Sequence, residues 1–277
     1  MIPAAFITAW ASQAPWPYPY QVEQDLILSR LMVEIASDEL LGRELRLRGG
    51  TCLHKLHLAR AWRYSEDLDY VRSTHSGIKP YVQALRRIAA ELGFESFSVT
   101  QSGQMVHAVL DAEPTIQPGR IRVKLETNIA ETAPHRPPVT ITYRVDSPWW
   151  KGEAEIVTFE LAELLGTKVR ALYQRSRGRD LFDLWICLTT ATVDDEAVAA
   201  AFHHYMGDRA FSYPELARNL AAKLADPEFR NDMNELVAEL PDGYLAEAAA
   251  DLFMTRIGSR LKNAPPLAEI EAGRWRR

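Results

Sequence analysis

Cysteine is almost missing from this 277-residue chain, which has only Cys52 and Cys187. Two cysteines build no disulfide framework, and no Cys/His spacing suggests zinc; they fit the reduced thiols of a cytoplasmic protein. Long apolar runs are missing too, since none approaches the roughly 18 residues of a membrane span. The opening MIPAAFITAW has no basic residue ahead of its apolar stretch, which argues against a secretory signal. No GxGxxG occurs, so a dinucleotide-binding fold has no support. Positive charge is not in excess: Lys+Arg is 32 and Asp+Glu is 37, a net of −5. That excludes a protein that coats nucleic acid through bulk charge, and stable DNA binding is not expected. With 47% hydrophobic and 25% charged residues, the chain has the means to bury a core, and disorder is excluded.

The charge is unevenly spread. Residues 191–277 carry the whole −5, and residues 1–190 are neutral. Within the neutral part lie two basic stretches, one from Arg43 to Arg63 and one from Lys168 to Arg179. Each reads either as a solvated face or as local positive potential for phosphates.

The hydropathy pattern predicts an extended, Pro- and aromatic-rich lead-in over 1–19. A helix over 21–41 follows, then a short strand over 45–48, a helix from Thr51 and a strand over 67–71. After a helix over 78–92 come strands at 96–100, 105–111, 120–129 and 139–146, with a short run near 156–159. Ala-rich helical segments are expected at 194–205, 214–225, 231–240 and 244–262. The fold class is therefore α+β: a mixed sheet flanked by helices (1–158), followed by a helical C-terminal domain (159–277).

Four constellations carry chemistry. In Ser65-Glu66-Asp67-Leu68-Asp69, a strand would point Asp67 and Asp69 the same way. Adjacent carboxylates repel and call for a cation between them, and Mg²⁺ prefers oxygen ligands. Alone, a D-x-D is also what a solvated turn looks like. Arg48-Gly49-Gly50-Thr51, between a strand and a helix, lets backbone N–H groups approach an anion. In Lys124-Leu125-Glu126, alternation puts Lys124 and Glu126 on the polar face of a strand; a carboxylate there would complete a metal site or would simply be solvated. In KVRALYQRSRGRDLFDL, Lys168 and Arg175 share a helix face, Gly178 breaks the helix, and Asp180 or Asp183 is the candidate acid. Leu172, Leu181, Phe182 and Leu184 read as core.

Taken in order, LRGGTCLHK (47–55), RYSEDLDYV (63–71), VKLETN (123–128) and the block 168–184 resemble the AbiEii/AbiGii family of nucleotidyltransferase toxins. That family belongs to the DNA polymerase β-type nucleotidyltransferase superfamily. The resemblance implies that Gly49, Gly50 and Thr51 form a triphosphate-binding turn. It implies that Asp67 and Asp69 bind metal and that Glu126 is a third acid, as metal ligand or as base. Lys168 and Asp183 would serve catalysis, and Lys55 and Arg175 would assist nucleotide binding. The implied reaction is Mg²⁺-dependent transfer of a nucleotide from an NTP to an acceptor hydroxyl, with the 3′ end of tRNA the expected acceptor and translation the process blocked. The RNA would lie on the Arg-rich segments, and a cognate antitoxin is the implied partner. The competing readings are transfer to a small molecule such as an aminoglycoside or to a protein hydroxyl, and an inactive nucleotide-binding module.

Overall fold

The computed structural model describes residues 2–207, 209 and 211–263. The chain forms two compact units. The first runs up to Phe159 and takes in Leu236–Ala238; the second comprises Glu160–Glu235 and the described residues from Glu239 on. The part of the expected helical domain beyond residue 263 lies outside the described residues.

The first unit is built on a seven-stranded mixed sheet. Its strands are β1 (Leu45–Arg48), β2 (Asp67–Arg72), β3 (Ser96–Ser102), β4 (Met105–Ala112), β5 (Ile121–Asn128), β6 (Val139–Asp146) and β7 (Lys151–Thr158), in spatial order β3-β4-β5-β2-β1-β7-β6. The pairs β2–β5 and β1–β7 are parallel, and the remaining pairs are antiparallel. Alternation decides the faces. Leu68, Tyr70, Val123, Leu125, Val106, Ala108 and Leu110 are buried, and their neighbours in each strand point to the opposite side.

Helix α2 (Pro19–Ser37) packs on β5, β6 and β7. Asp38 caps the short α3 (Glu39–Glu44) through the backbone N–H groups of Leu40 and Leu41, so the helix expected over 21–41 is two helices. Helix α5 (Ile78–Glu91) buries Tyr81, Leu85 and Ile88 along one stripe.

The lead-in is not wholly extended. Ala4–Trp10 forms helix α1, whose Ile7 and Trp10 enter a core cluster with Trp16, Val22, Leu26 and Tyr64.

The second unit is helical: α6 (Leu161–Gln174), α7 (Gly178–Thr190), α8 (Asp195–Met206), α9 (Tyr213–Ala225), α10 (Pro227–Asn231), α11 (Ala246–Phe253) and α12 (Ser259–Asn263), with a π-helical turn over Met254–Gly258. Helix α7 is buried from Asp180 through Leu188, which bears out the core reading of Leu181, Phe182 and Leu184. The helix expected over 231–240 is absent, because Pro227 starts a short helix that ends at Asn231 and turns follow.

Candidate active site

The site begins where β1 ends. Gly49–Cys52 forms the one-turn helix α4, continued by a π-helical turn over Leu53–His57. The two glycines therefore lie inside the first helical turn rather than ahead of it. Gly49 has φ +82°, and a Cβ there would fall on Oδ2 of Asp69. A Cβ at Gly50 would meet the guanidinium of Arg63 and the hydroxyl of Ser65. The first glycine makes room for a carboxylate, the second for a buried arginine. Thr51 is buried, and its hydroxyl donates to the Asp67 carbonyl (2.6 Å), tying α4 to the start of β2. That hydroxyl is committed, which leaves the backbone of the turn to meet an anion.

Asp67 and Asp69 open β2 on one face of the sheet, as their spacing predicts. Register then builds a row across the sheet at the level of Asp69: Arg48 on β1, Asp69 on β2, Glu126 on β5, His107 on β4 and Thr100 on β3. The row beside it runs Asp67, Lys124, Val109, Ser98. Sequence alternation found each strand's polar face; the pairing of strands far apart in sequence brings those faces together.

Asp67 is the strained member. Its Oδ1 is buried without a hydrogen-bond partner. Burial, with Glu66, Asp69 and Glu126 nearby, pushes its pKa up to about 7 against the opposing effect of Lys124. An orphaned carboxylate oxygen beside a second carboxylate is a hard-oxygen donor set that suits Mg²⁺.

The expected cluster of three metal-binding carboxylates needs correction. Among the described residues no three His, Cys, Asp or Glu side chains gather closely enough to hold an ion. Glu126 is next to Asp69 in register, but its carboxylate turns to His107, with Nδ1–Oε1 at 3.5 Å. Two carboxylates are enough for Mg²⁺, which completes its shell with substrate phosphates and water rather than an all-protein cage.

Lys55 points elsewhere than its expected triphosphate role requires. Its ammonium donates to both oxygens of Asp25 (2.9 Å each) and to Ser29 (3.1 Å). Three donors are thereby used, which is all a lysine has. Asp25 also accepts from the indoles of Trp10 (2.8 Å) and Trp16 (3.1 Å). Burial works against the Lys55 charge, and Asp25 outweighs it, holding the pKa above the usual lysine value. One residue earlier on α2, Gln24 donates to the carbonyls of Glu66 and Arg122. The first turns of α2 thus anchor the glycine turn and the starts of β2 and β5.

Sequence reasoning missed Asp25 and Arg63. Asp25 sits among Gln21, Glu23 and Gln24, a run that looks solvated and is buried. Arg63 reads as one more surface cation, yet it is 4% exposed. Cys52 is a buried thiol in contact with Thr158 and has its pKa pushed up to about 12 by burial, an inert group as its apolar setting implies.

The helical unit holds its own charged cluster. Lys168 pairs with Asp183 (2.7 Å) and Asp180 (3.3 Å), and both carboxylates are fully buried. Arg175 closes a fork on Asp180 at 2.8 and 2.9 Å. Burial raises the Asp180 pKa, but Lys168 and Arg175 outweigh it and hold the carboxyl below its usual range. Of the two candidate acids, Asp180 lies between the two cations, while Asp183 makes the shorter contact with Lys168.

Several cations of the Arg-rich stretches are engaged within the protein. Arg46 donates to the Thr132 carbonyl, Arg48 pairs with Glu131, Arg60 covers Trp62 and Arg170 donates to the Tyr205 carbonyl. Those side chains are withdrawn from the RNA-binding surface expected along the stretches, while Arg43, Arg175 and Arg177 are exposed.

Among the described residues no helix is long and apolar enough to cross a membrane. Comparison with curated proteins finds no match. Among solved structures, the chain is similar to MenT4, a nucleotidyltransferase toxin of Mycobacterium tuberculosis H37Rv, with a TM-score of 0.67 at 17% identity over 98% of this chain and 93% of that one. It is also similar to JHP933 of Helicobacter pylori, with a TM-score of 0.54 at 14% identity over 92% of this chain and 96% of that one. At such identities the likeness speaks for the fold. The family model "Nucleotidyl transferase AbiEii toxin, Type IV TA system" matches residues 30–255. That span takes in the glycine turn, the Asp67–Asp69 pair, Glu126 and the Lys168–Asp183 pair, and the chain belongs to this family of nucleotidyltransferase toxins of type IV toxin–antitoxin systems.

Proposed function

We propose that the protein transfers a nucleotide from an NTP to the 3′-terminal hydroxyl of an RNA, the acceptor end of tRNA, and so blocks translation, with Mg²⁺ bound at Asp67 and Asp69. One observation carries the reading: two carboxylates share a strand face against the Gly49 turn, and one has a buried oxygen without a partner.

Mg²⁺ held there would neutralise triphosphate charge and lower the pKa of the attacking hydroxyl. The chain's own residues do the rest. The Gly49–Thr51 backbone receives phosphate oxygens, and Arg63 behind Gly50 adds positive charge to the turn. Asp69, held by its fit against Gly49, orients the donor. The acceptor oxygen forms a bond to the α-phosphorus as the bond to the β-phosphate oxygen breaks, and pyrophosphate leaves. Glu126, next to Asp69 in register and in contact with His107, takes the hydroxyl proton in this reading. Such catalysis is mainly positioning and electrostatics. Lys168 and Asp183 enter the reaction on the strength of the family motif, and an antitoxin partner follows from the family's biology.

The test is incubation of the purified protein with labelled NTPs and either tRNA or an aminoglycoside, followed by sequencing of RNA 3′ ends. Label is expected on RNA, and Asp69→Ala is expected to lower the rate by about 10³-fold or more with folding intact. Label on the drug alone, or full activity in Asp69→Ala, would refute the proposal.

A further inference from the structure

The open face of the sheet continues outward from Asp69. On β5 and just before it, Arg120, Arg122 and Lys124 alternate onto the face that carries Asp67 and Asp69, and all three are exposed. Arg120 and Arg122 share one carboxylate, Asp111, at 3.5 and 3.0 Å, so one of their two charges stays uncompensated. Lys124, in register with Asp67, has no ion-pair partner among the described residues. At about 3.3 Å per residue, the strip from Arg120 to Glu126 is about 20 Å long. It ends where Glu126 is flanked by Asp69 on one side and His107 on the other. Beyond His107, the exposed Ser98 and Thr100 of β3 add small hydrogen-bonding groups to the same face.

We infer that this strip is the acceptor track, a reading that rests on the nucleotidyltransferase site proposed above. The single-stranded 3′ end of an RNA lies along β5, with phosphates on Lys124 and on the Arg120–Arg122 pair. Its terminal ribose reaches the level of Glu126 and His107, one strand from Asp69. Two features favour a single strand. The cations form a line rather than a broad patch, and the side chains beside them are a half-exposed imidazole and hydroxyls, groups that stack on or hydrogen-bond to unpaired bases. The track also explains how a chain of net charge −5 can hold a polyanion: positive charge is needed along one strand only. It takes the place of Arg46, Arg48 and Arg170 in the Arg-rich stretches, which are engaged within the protein.

The experiment is fluorescence anisotropy with a short single-stranded RNA bearing a free 3′-hydroxyl. It is run on the full chain without NTP across a salt series, alongside a separate measurement of NTP binding. Lys124→Ala is expected to weaken RNA binding about tenfold and to reduce the log–log salt slope by about 0.7. Lys124→Arg should restore most of the loss, and Arg122→Ala should act in the same direction. Lys151→Ala, an exposed lysine on β7 paired with Asp146, is the control and should bind RNA as the wild type does.

Unchanged affinity and slope in both Lys124→Ala and Arg122→Ala overturn the track, as does a wild-type chain that binds no RNA. A wild type that binds RNA through these residues but transfers no nucleotide overturns the reaction and leaves the track. A protein that labels RNA with the same KM in the variants overturns the track and leaves the reaction.

Discussion

Gly49 and Gly50 are neighbours, yet each is glycine for its own reason, and substitution separates them. Gly49 combines φ +82° with a side-chain position taken by the Asp69 carboxylate. Gly50 has an ordinary φ and meets only the far end of the Arg63 guanidinium and the Ser65 hydroxyl. Gly49→Ala is expected to cost about 1–2 kcal/mol in backbone strain and, by displacing Asp69, to abolish transfer. Gly50→Ala is expected to cost less stability and to keep measurable activity. Urea titration and a transfer assay on the two variants check the order. Asp67 gives a second prediction. Its folded pKa stands near 7 against an ordinary value of 3.8, so the folded state retains a proton that the unfolded chain has released. The stability this contributes is full below pH 3.8 and is lost as pH rises through 7. In metal-free buffer the urea midpoint should fall between pH 5 and pH 8. Asp67→Asn should flatten that slope, raise stability at pH 8 by about 1–3 kcal/mol and remove activity.

The first turns of α2 and the helix that starts at Gly49 depend on each other through Asp25 and Lys55. Lys55→Ala leaves a buried carboxylate with only two indoles to offset its charge. The expected loss is about 3–5 kcal/mol, and the Asp25→Asn/Lys55→Ala double variant should lose less than the sum of the Asp25→Asn and Lys55→Ala singles. Thermal or urea unfolding of the four proteins measures the coupling. The same pair shows where sequence reading ends. Strands were legible because alternation is local: Val139–Asp146 appears with the bounds expected, and β5 differs by one residue at each end. The Asp67–Asp69 face was legible for the same reason. Lys55 was misread because its partner lies 30 residues away in sequence, and nothing local separates an ammonium facing phosphate from one facing a buried carboxylate. Helix α1 was hidden among prolines and aromatics because its anchor, the Trp10 indole on Asp25, is also distant. Glu126 was found as a polar-face acid, while its turn toward His107 depends on β4 pairing beside β5.

At the scale of the whole chain, a net charge of −5 with the surplus acid confined to residues 191–277 leaves phosphate recognition to particular side chains of the sheet unit. Binding to duplex DNA should therefore be weak and vanish at moderate salt; a filter-binding series checks this. Induced expression in a bacterium should arrest growth with the wild type and not with Asp69→Ala, at matched protein levels read by immunoblot. The carboxylate of Asp25 has one more use. Trp10 and Trp16 are buried with their N–H groups on a charged acceptor next to a lysine. Indole emission responds to nearby charge and to water, so in a background with the other five tryptophans replaced by phenylalanine, the protein carries an optical gauge of its own active-site foundation. A red shift would report water reaching Asp25 before the sheet itself unfolds.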